Sequence, residues 1–140
     1  MRILLPVDGS AYTTRMLDYV AGHTSLLGAK PLITVLCVQP AVSPREAAYE
    51  GREKVEARYR RDAEPVFGLV RDALGPLGAS LHEDVAFGDP GTEIARYARE
   101  HGIDLIIMGS HGHGALAGLL VGSVTNAVLT HSVVPVLIVR

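Results

Sequence analysis

Five short apolar runs separated by segments of helical periodicity constrain this chain more than any other feature. Ile3–Val7 is such a run, closed by Asp8-Gly9-Ser10. Short apolar runs ended by turn residues read as buried strands. Pro31–Val38 is rich in β-branched residues (Ile33, Thr34, Val35, Val38), Ser80–Phe87 alternates, Asp104–Met108 is densely apolar, and Val133–Val139 closes the series. Between them, Ser10 is placed to cap a helix over about Ala11–Leu27, whose Met16, Leu17, Val20 and Leu27 recur at helical spacing before Gly28. Gln39–Asp62 reads as a loop leading into a long helix, broken or kinked near Pro65 and finished by Gly75. Asp89-Pro90 has the chemistry of a helix start, cap followed by proline, and that helix ends at His101-Gly102. Ser123–Thr130 is a last short helix.

Strict alternation of strand and helix implies an α/β fold with a parallel sheet covered on both faces and right-handed crossovers. The 140 residues fit one domain, and the 48% hydrophobic content suffices for its core. A net charge of −2 gives no basic face for nucleic acid. No run approaches the roughly 18 apolar residues of a membrane span. The opening MRILLPVDGS lacks a secretory pattern, so a cytoplasmic protein is expected. The single cysteine, Cys37, sits in an apolar run and is expected to be a buried, inert thiol.

Pro135 has no N–H for a sheet ladder, which places the last run at a sheet edge or puts the proline at its start. An open apolar edge invites pairing. A second subunit covering Val133–Val139 is therefore expected, making a homodimer.

In open parallel sheets ligands bind beyond the carboxyl ends of the strands, where strand order reverses. In the order 3-2-1-4-5, Asp8-Gly9-Ser10 and the segment beginning Gly109-Ser110-His111-Gly112 are neighbours at that point. The second segment carries glycines at 109, 112, 114, 118 and 122, and Gly122-Ser123 then opens a helix. Glycine lets backbone approach a ligand, and a helix start offers free N–H groups and a positive dipole end to an anion. Ser123 and Thr125 add hydroxyls. The bland alternative is a flexible loop with Ser123 as an ordinary cap. There is no Walker lysine, since the only lysines are Lys30 and Lys54, and no dinucleotide fingerprint follows the first strand.

Gly109-x-x-Gly112, nine residues, then Gly122-Ser123 resembles the nucleotide-binding signature of the universal stress protein family. PVDGS at Pro6–Ser10, GDPGTEI at Gly88–Ile94, DLIIMGSHG at Asp104–Gly112 and PVLIV at Pro135–Val139 resemble it too. The resemblance covers nearly the whole chain apart from about Gln39–Leu77. It implies a doubly wound, Rossmann-like five-stranded parallel sheet of order 3-2-1-4-5 with helices on both faces, dimerisation through the last strand, and ATP binding. It implies that Pro6, Val7 and Asp8 border the adenosine, that Val38 meets adenine through its backbone, and that Met108 and Gly109 line the ribose side. His111, Gly112, His113, Gly122, Ser123, Val124 and Thr125 would hold the phosphates. His113 stands where many members carry arginine; an imidazole attracts phosphate less than a guanidinium, so a metal counterion gains importance. Asp8 could hold that Mg²⁺ through water.

The expected role is a dimeric, ATP-binding regulatory or stress-response protein. The alternatives are a slow ATPase or autophosphorylating enzyme, and a dimeric scaffold without nucleotide. The absence of a lysine near the loop points to weak hydrolysis at most.

Overall fold

The computed structural model describes residues 1–78, 80–113 and 120–140. Its elements run β1 (Arg2–Pro6), α1 (Ala11–Gly22), β2 (Leu32–Gln39), α2 (Pro44–Glu50), α3 (Arg52–Leu74), β3 (Ser80–Phe87), α4 (Pro90–Glu100), β4 (Leu105–Gly109), α5 (Ser123–His131) and β5 (Val136–Val139). Short 3₁₀ turns occupy Thr24–Leu27 and Gly75–Leu77. The five strands form one parallel sheet of order β3-β2-β1-β4-β5, as expected.

The central strand shows why the sheet must be covered twice. Ile3, Leu4 and Leu5 are each fully buried, and neighbours on a strand point to opposite faces. Ile3 and Leu5 pack with Met16, Leu17 and Val20 of α1 and with Phe67, Val70 and Leu74 of α3. Leu4 packs on the other face with Leu36, Ile94, Tyr97 and Ala98, together with Val128 of α5. Cys37 belongs to the first cluster, and burial pushes its thiol pKa up, as an inert thiol requires.

Three boundaries differ from the sequence expectation. The first helix ends at Gly22, short of Leu27. His23 N–H turns to the Val20 carbonyl at 3.3 Å and the His23 ring sits 2.8 Å from the Tyr19 carbonyl, which closes the helix and starts a 3₁₀ turn. The long helix continues through exposed Pro65, and the interruption falls instead at Gly51, whose φ of 85° is open to glycine and separates α2 from α3. The last strand starts at Val136 rather than Val133. Ser132 Oγ accepts from Val134 N–H and donates to its carbonyl, both at 3.0 Å, curling this segment, and Pro135 contributes only its carbonyl, to Ile106 N–H at 2.9 Å. β5 is the sheet edge, with the proline just before it.

The charged run before β3 behaves as a solvated surface. Arg58 bridges Glu46 and Glu50, and Arg52 meets Glu56. Exposed pairs of this kind contribute little.

On the second face α4 and α5 approach so closely at Gly91 that a Cβ there would overlap the Cβ of Ala127. Gly91→Ala must push the two helices apart. It is expected to cost about 1–3 kcal/mol, read as a lower urea midpoint at unchanged slope.

Candidate functional site

At its carboxyl end β1 runs into a turn built around Asp8. Asp8 N–H donates to Thr13 Oγ1 at 3.1 Å, while its Oδ1 accepts from Ser10 N–H and from the Thr13 hydroxyl, both at 2.9 Å. Gly9 takes a φ of 75°, and Ser10 then caps α1 through Thr13 N–H. The carboxylate is half-buried. Burial draws its pKa upward, but the hydrogen bonds from Ser10 and Thr13, with His113 nearby, outweigh it and hold Asp8 below its ordinary value of 3.8. Its Oδ2 has no hydrogen-bond partner among the described residues.

Beside it, β4 runs into the glycine segment. Three glycines allow that segment to lie against its neighbours. A Cβ at Gly109 would stand 2.8 Å from Tyr12 Cβ, one at Gly112 would overlap Asp8 Oδ2, and one at Gly122 would stand 3.1 Å from His111 Cα. The segment is pinned by Ser110 N–H to the Val139 carbonyl at 2.8 Å and by Gly122 N–H to the Ser110 carbonyl at 2.7 Å. His111 lies 3.0 Å from Ser110 Oγ and packs its ring against Tyr12, centroids 5.1 Å apart. His113 Nε2 lies 2.6 Å from the Asp8 carbonyl, tying the β4 side to the β1 side.

Between these two strand ends lies a cleft that opens to solvent. The residues that the family resemblance assigns to nucleotide contact all border it. Pro6, Val7 and Asp8 border it from the end of β1, Val38 from the end of β2, Met108 and Gly109 from β4, His111, Gly112 and His113 from the segment after β4, and Gly122, Ser123, Val124 and Thr125 from the start of α5. Gly114 and Gly118 lie outside the described residues. The cleft is also bordered by Thr13, Leu36, Pro90 and Ile94, which sequence reasoning missed. Leu36 could have been found as the same-face neighbour of Val38, and Pro90 and Ile94 as the first turn of the helix following β3.

Two side chains have internal duties as well. The Thr125 hydroxyl is buried and donates to the Gly109 carbonyl at 3.0 Å, so its proton is not left for a phosphate. α5 begins at Gly122 with no side-chain cap, whereas α1, α2 and α4 are capped by Ser10, Ser43 and Asp89. Its first-turn N–H groups have no intrahelical partner, and Ser123, Val124 and Thr125 border the cleft. Among the described residues, no group of three His, Cys, Asp or Glu side chains could hold a metal ion by itself.

Fold and cleft together define a doubly wound α/β domain with a ligand-type cavity at its topological switch point. The chain belongs to the Universal stress protein family, whose sequence model matches residues 1–140. Universal stress protein Slr1230 of Synechocystis sp. is 30% identical over 99% of the chain, which spans 42% of that longer protein. Among solved structures, MJ0577 of Methanocaldococcus jannaschii superimposes with a TM-score of 0.81 at 30% identity, covering 99% of this chain and 94% of that one. Two more distant structures share the fold. One is a universal stress protein in complex with cAMP (TM-score 0.62, 24% identity, covering 100% and 96%). The other, from Archaeoglobus fulgidus, is in complex with dAMP (TM-score 0.68, 21% identity, covering 100% and 98%).

The Asp8 turn yields a pH prediction. Because its folded pKa is lowered, its stabilising contribution is full above the ordinary aspartate range and is lost as pH falls through the lowered value. Urea unfolding of Asp8→Asn, run from neutral to acid pH, is expected to show a smaller loss of stability than the wild type. Equal losses would mean that the turn does not hold the carboxylate ionised.

Proposed function

We propose that this chain is an adenine-nucleotide-binding regulatory protein that takes ATP as its magnesium complex and acts as a homodimer. The observation carrying this reading is the uncapped start of α5, aimed into a glycine-walled cleft at the switch point of the sheet. An uncapped helix start is suited to a phosphate group. The apolar residues Leu36, Val38, Ile94 and Met108 at the other side suit a flat aromatic base. The cAMP and dAMP complexes of distant family members support the same ligand class.

The donor set also fits magnesium, which favours few carboxylates together with phosphate oxygens and water. Asp8, with Oδ2 left over from the turn, would hold the ion through water; the ion would neutralise phosphate charge. Binding rather than turnover is the proposed role, since neither lysine nor arginine lines the cleft among the described residues. For regulation, the nucleotide must bind one state of the glycine segment better than another, and a protein partner then reads that state.

Dimerisation through β5 would cover the open edge. Val136, Leu137 and Ile138 are half-exposed there, and Val133 beside them is 84% exposed. Light scattering is expected to show a dimer for the wild type and a monomer for Ile138→Glu, which places a charge at the edge.

Ligand binding stabilises a fold by mass action, by about 2.7 kcal/mol at a hundredfold excess over Kd. Millimolar Mg-ATP is therefore expected to raise the melting temperature by several degrees. Gly122→Val, whose side chain fills the loop against His111, and Asp8→Ala are expected to abolish the shift. No shift in the wild type would contradict the proposal.

A further inference from the structure

We infer that this cleft selects its adenine ligand by charge, taking a nucleotide with one phosphate group in preference to the metal-free triphosphate. The inference rests on reading the cleft as an adenine-nucleotide site, and it goes beyond that reading by naming which phosphate state the protein itself can hold.

The first observation is a missing charge. From Gly109 to Thr125 the sequence contains no Lys, Arg, Asp or Glu. That stretch connects β4 to α5, so neither a lysine nor an arginine can come from it. Among the described residues bordering the cleft, the only formal charge is the carboxylate of Asp8, which is negative. The cations of α1 and α4 lie away from the cleft, Arg99 in the last turn of α4 among them. Arg96 of α4 is bound to Glu93 and Glu100, and Arg15 of α1 sits over the ring of Tyr12, 5.1 Å from its centre. Neither borders the cleft.

The second observation is that two polar side chains of the cleft are already engaged. His113 points Nε2 at the Asp8 carbonyl. A neutral imidazole has a single N–H, so with that proton spent His113 presents an acceptor nitrogen and no donor to a phosphate. The Thr125 hydroxyl is spent on the Gly109 carbonyl. Among the described residues, the first turn of α5 and the exposed Ser123 hydroxyl are still open to a phosphate. A helix start acts as roughly half a positive charge and its influence fades within one turn. That is suited to one phosphate group.

The third observation is the place of Asp8. Its Oδ2 is packed against Gly112 and so lies against the loop that a phosphate chain would follow. Each phosphate beyond the first adds negative charge in the field of a half-buried carboxylate, with no side-chain cation to compensate. Like charges in a partly desolvated site repel more strongly than in water.

The test is calorimetric titration of the full chain with adenosine, AMP and ATP in mildly alkaline buffer containing EDTA. At low salt AMP is expected to bind at least about tenfold more tightly than ATP, a gap of about 1.4 kcal/mol. At about 1 M salt, where the screening length falls to about 3 Å, the gap is expected to close substantially. His113→Arg, which places a cation at the loop, is expected to favour ATP over AMP relative to the wild type. Metal-free ATP binding as tightly as AMP overturns the inference while leaving the nucleotide reading standing. A gap that persists unchanged in high salt also overturns it, because exclusion by size does not respond to screening. Failure of adenosine, AMP and ATP alike to bind overturns both.

Discussion

The contact of the β4 loop with the β1 turn is the constraint on which the site depends. Two adjacent parallel strands end side by side, and their connections leave in opposite directions. A cavity forms there only if the backbone of one connection can lie directly on the other. Glycine at 109 lets β4 finish against the backbone of Tyr12, and glycine at 112 lets the loop settle on the Asp8 carboxylate. The Ser110–Val139 and Gly122–Ser110 bonds then fix where α5 begins. The helix start is thus positioned by backbone packing, with no side-chain cap of its own, and its first residues border the cleft.

The Asp8 turn is the complementary half. Its Oδ1 is fully used in shaping the turn and seating α1, so the carboxylate is rigid before any ligand arrives. Holding it ionised places one negative charge at the mouth of a site that otherwise relies on amides. Rigidity of this kind reduces the ordering cost of binding, and under the proposal above it makes the balance of charge, more than the number of contacts, the property by which phosphate states are told apart.

Much of this was legible in the sequence because the signals were local and chemical. Asp89-Pro90 and Ser10 cap their helices as read, since a side-chain oxygen and a proline at the first turn leave few other solutions. The parallel sheet followed from alternation and its strand order from the family resemblance, and the residues expected at the site all border one cleft. What escaped was set by tertiary competition. Pro65 looked like a helix breaker, yet it faces solvent on a helix whose Ala63, Phe67 and Val70 are held in the core. Val133–Pro135 looked like strand, yet Ser132 captured the backbone first. The duties of His113 and Thr125 inside the site could not be read from spacing, because each depends on which carbonyl the fold brings within reach.

The most direct test of where an adenine nucleotide lies is a titration of ¹⁵N-labelled protein with AMP, followed by amide chemical shifts. A cleft between the two strand ends predicts the largest changes at Asp8–Ser10, Gly109–His113 and Gly122–Thr125, with the β3 side of the sheet beyond Val38 nearly unmoved. Absence of any saturable change, or changes centred away from these three segments, would contradict it.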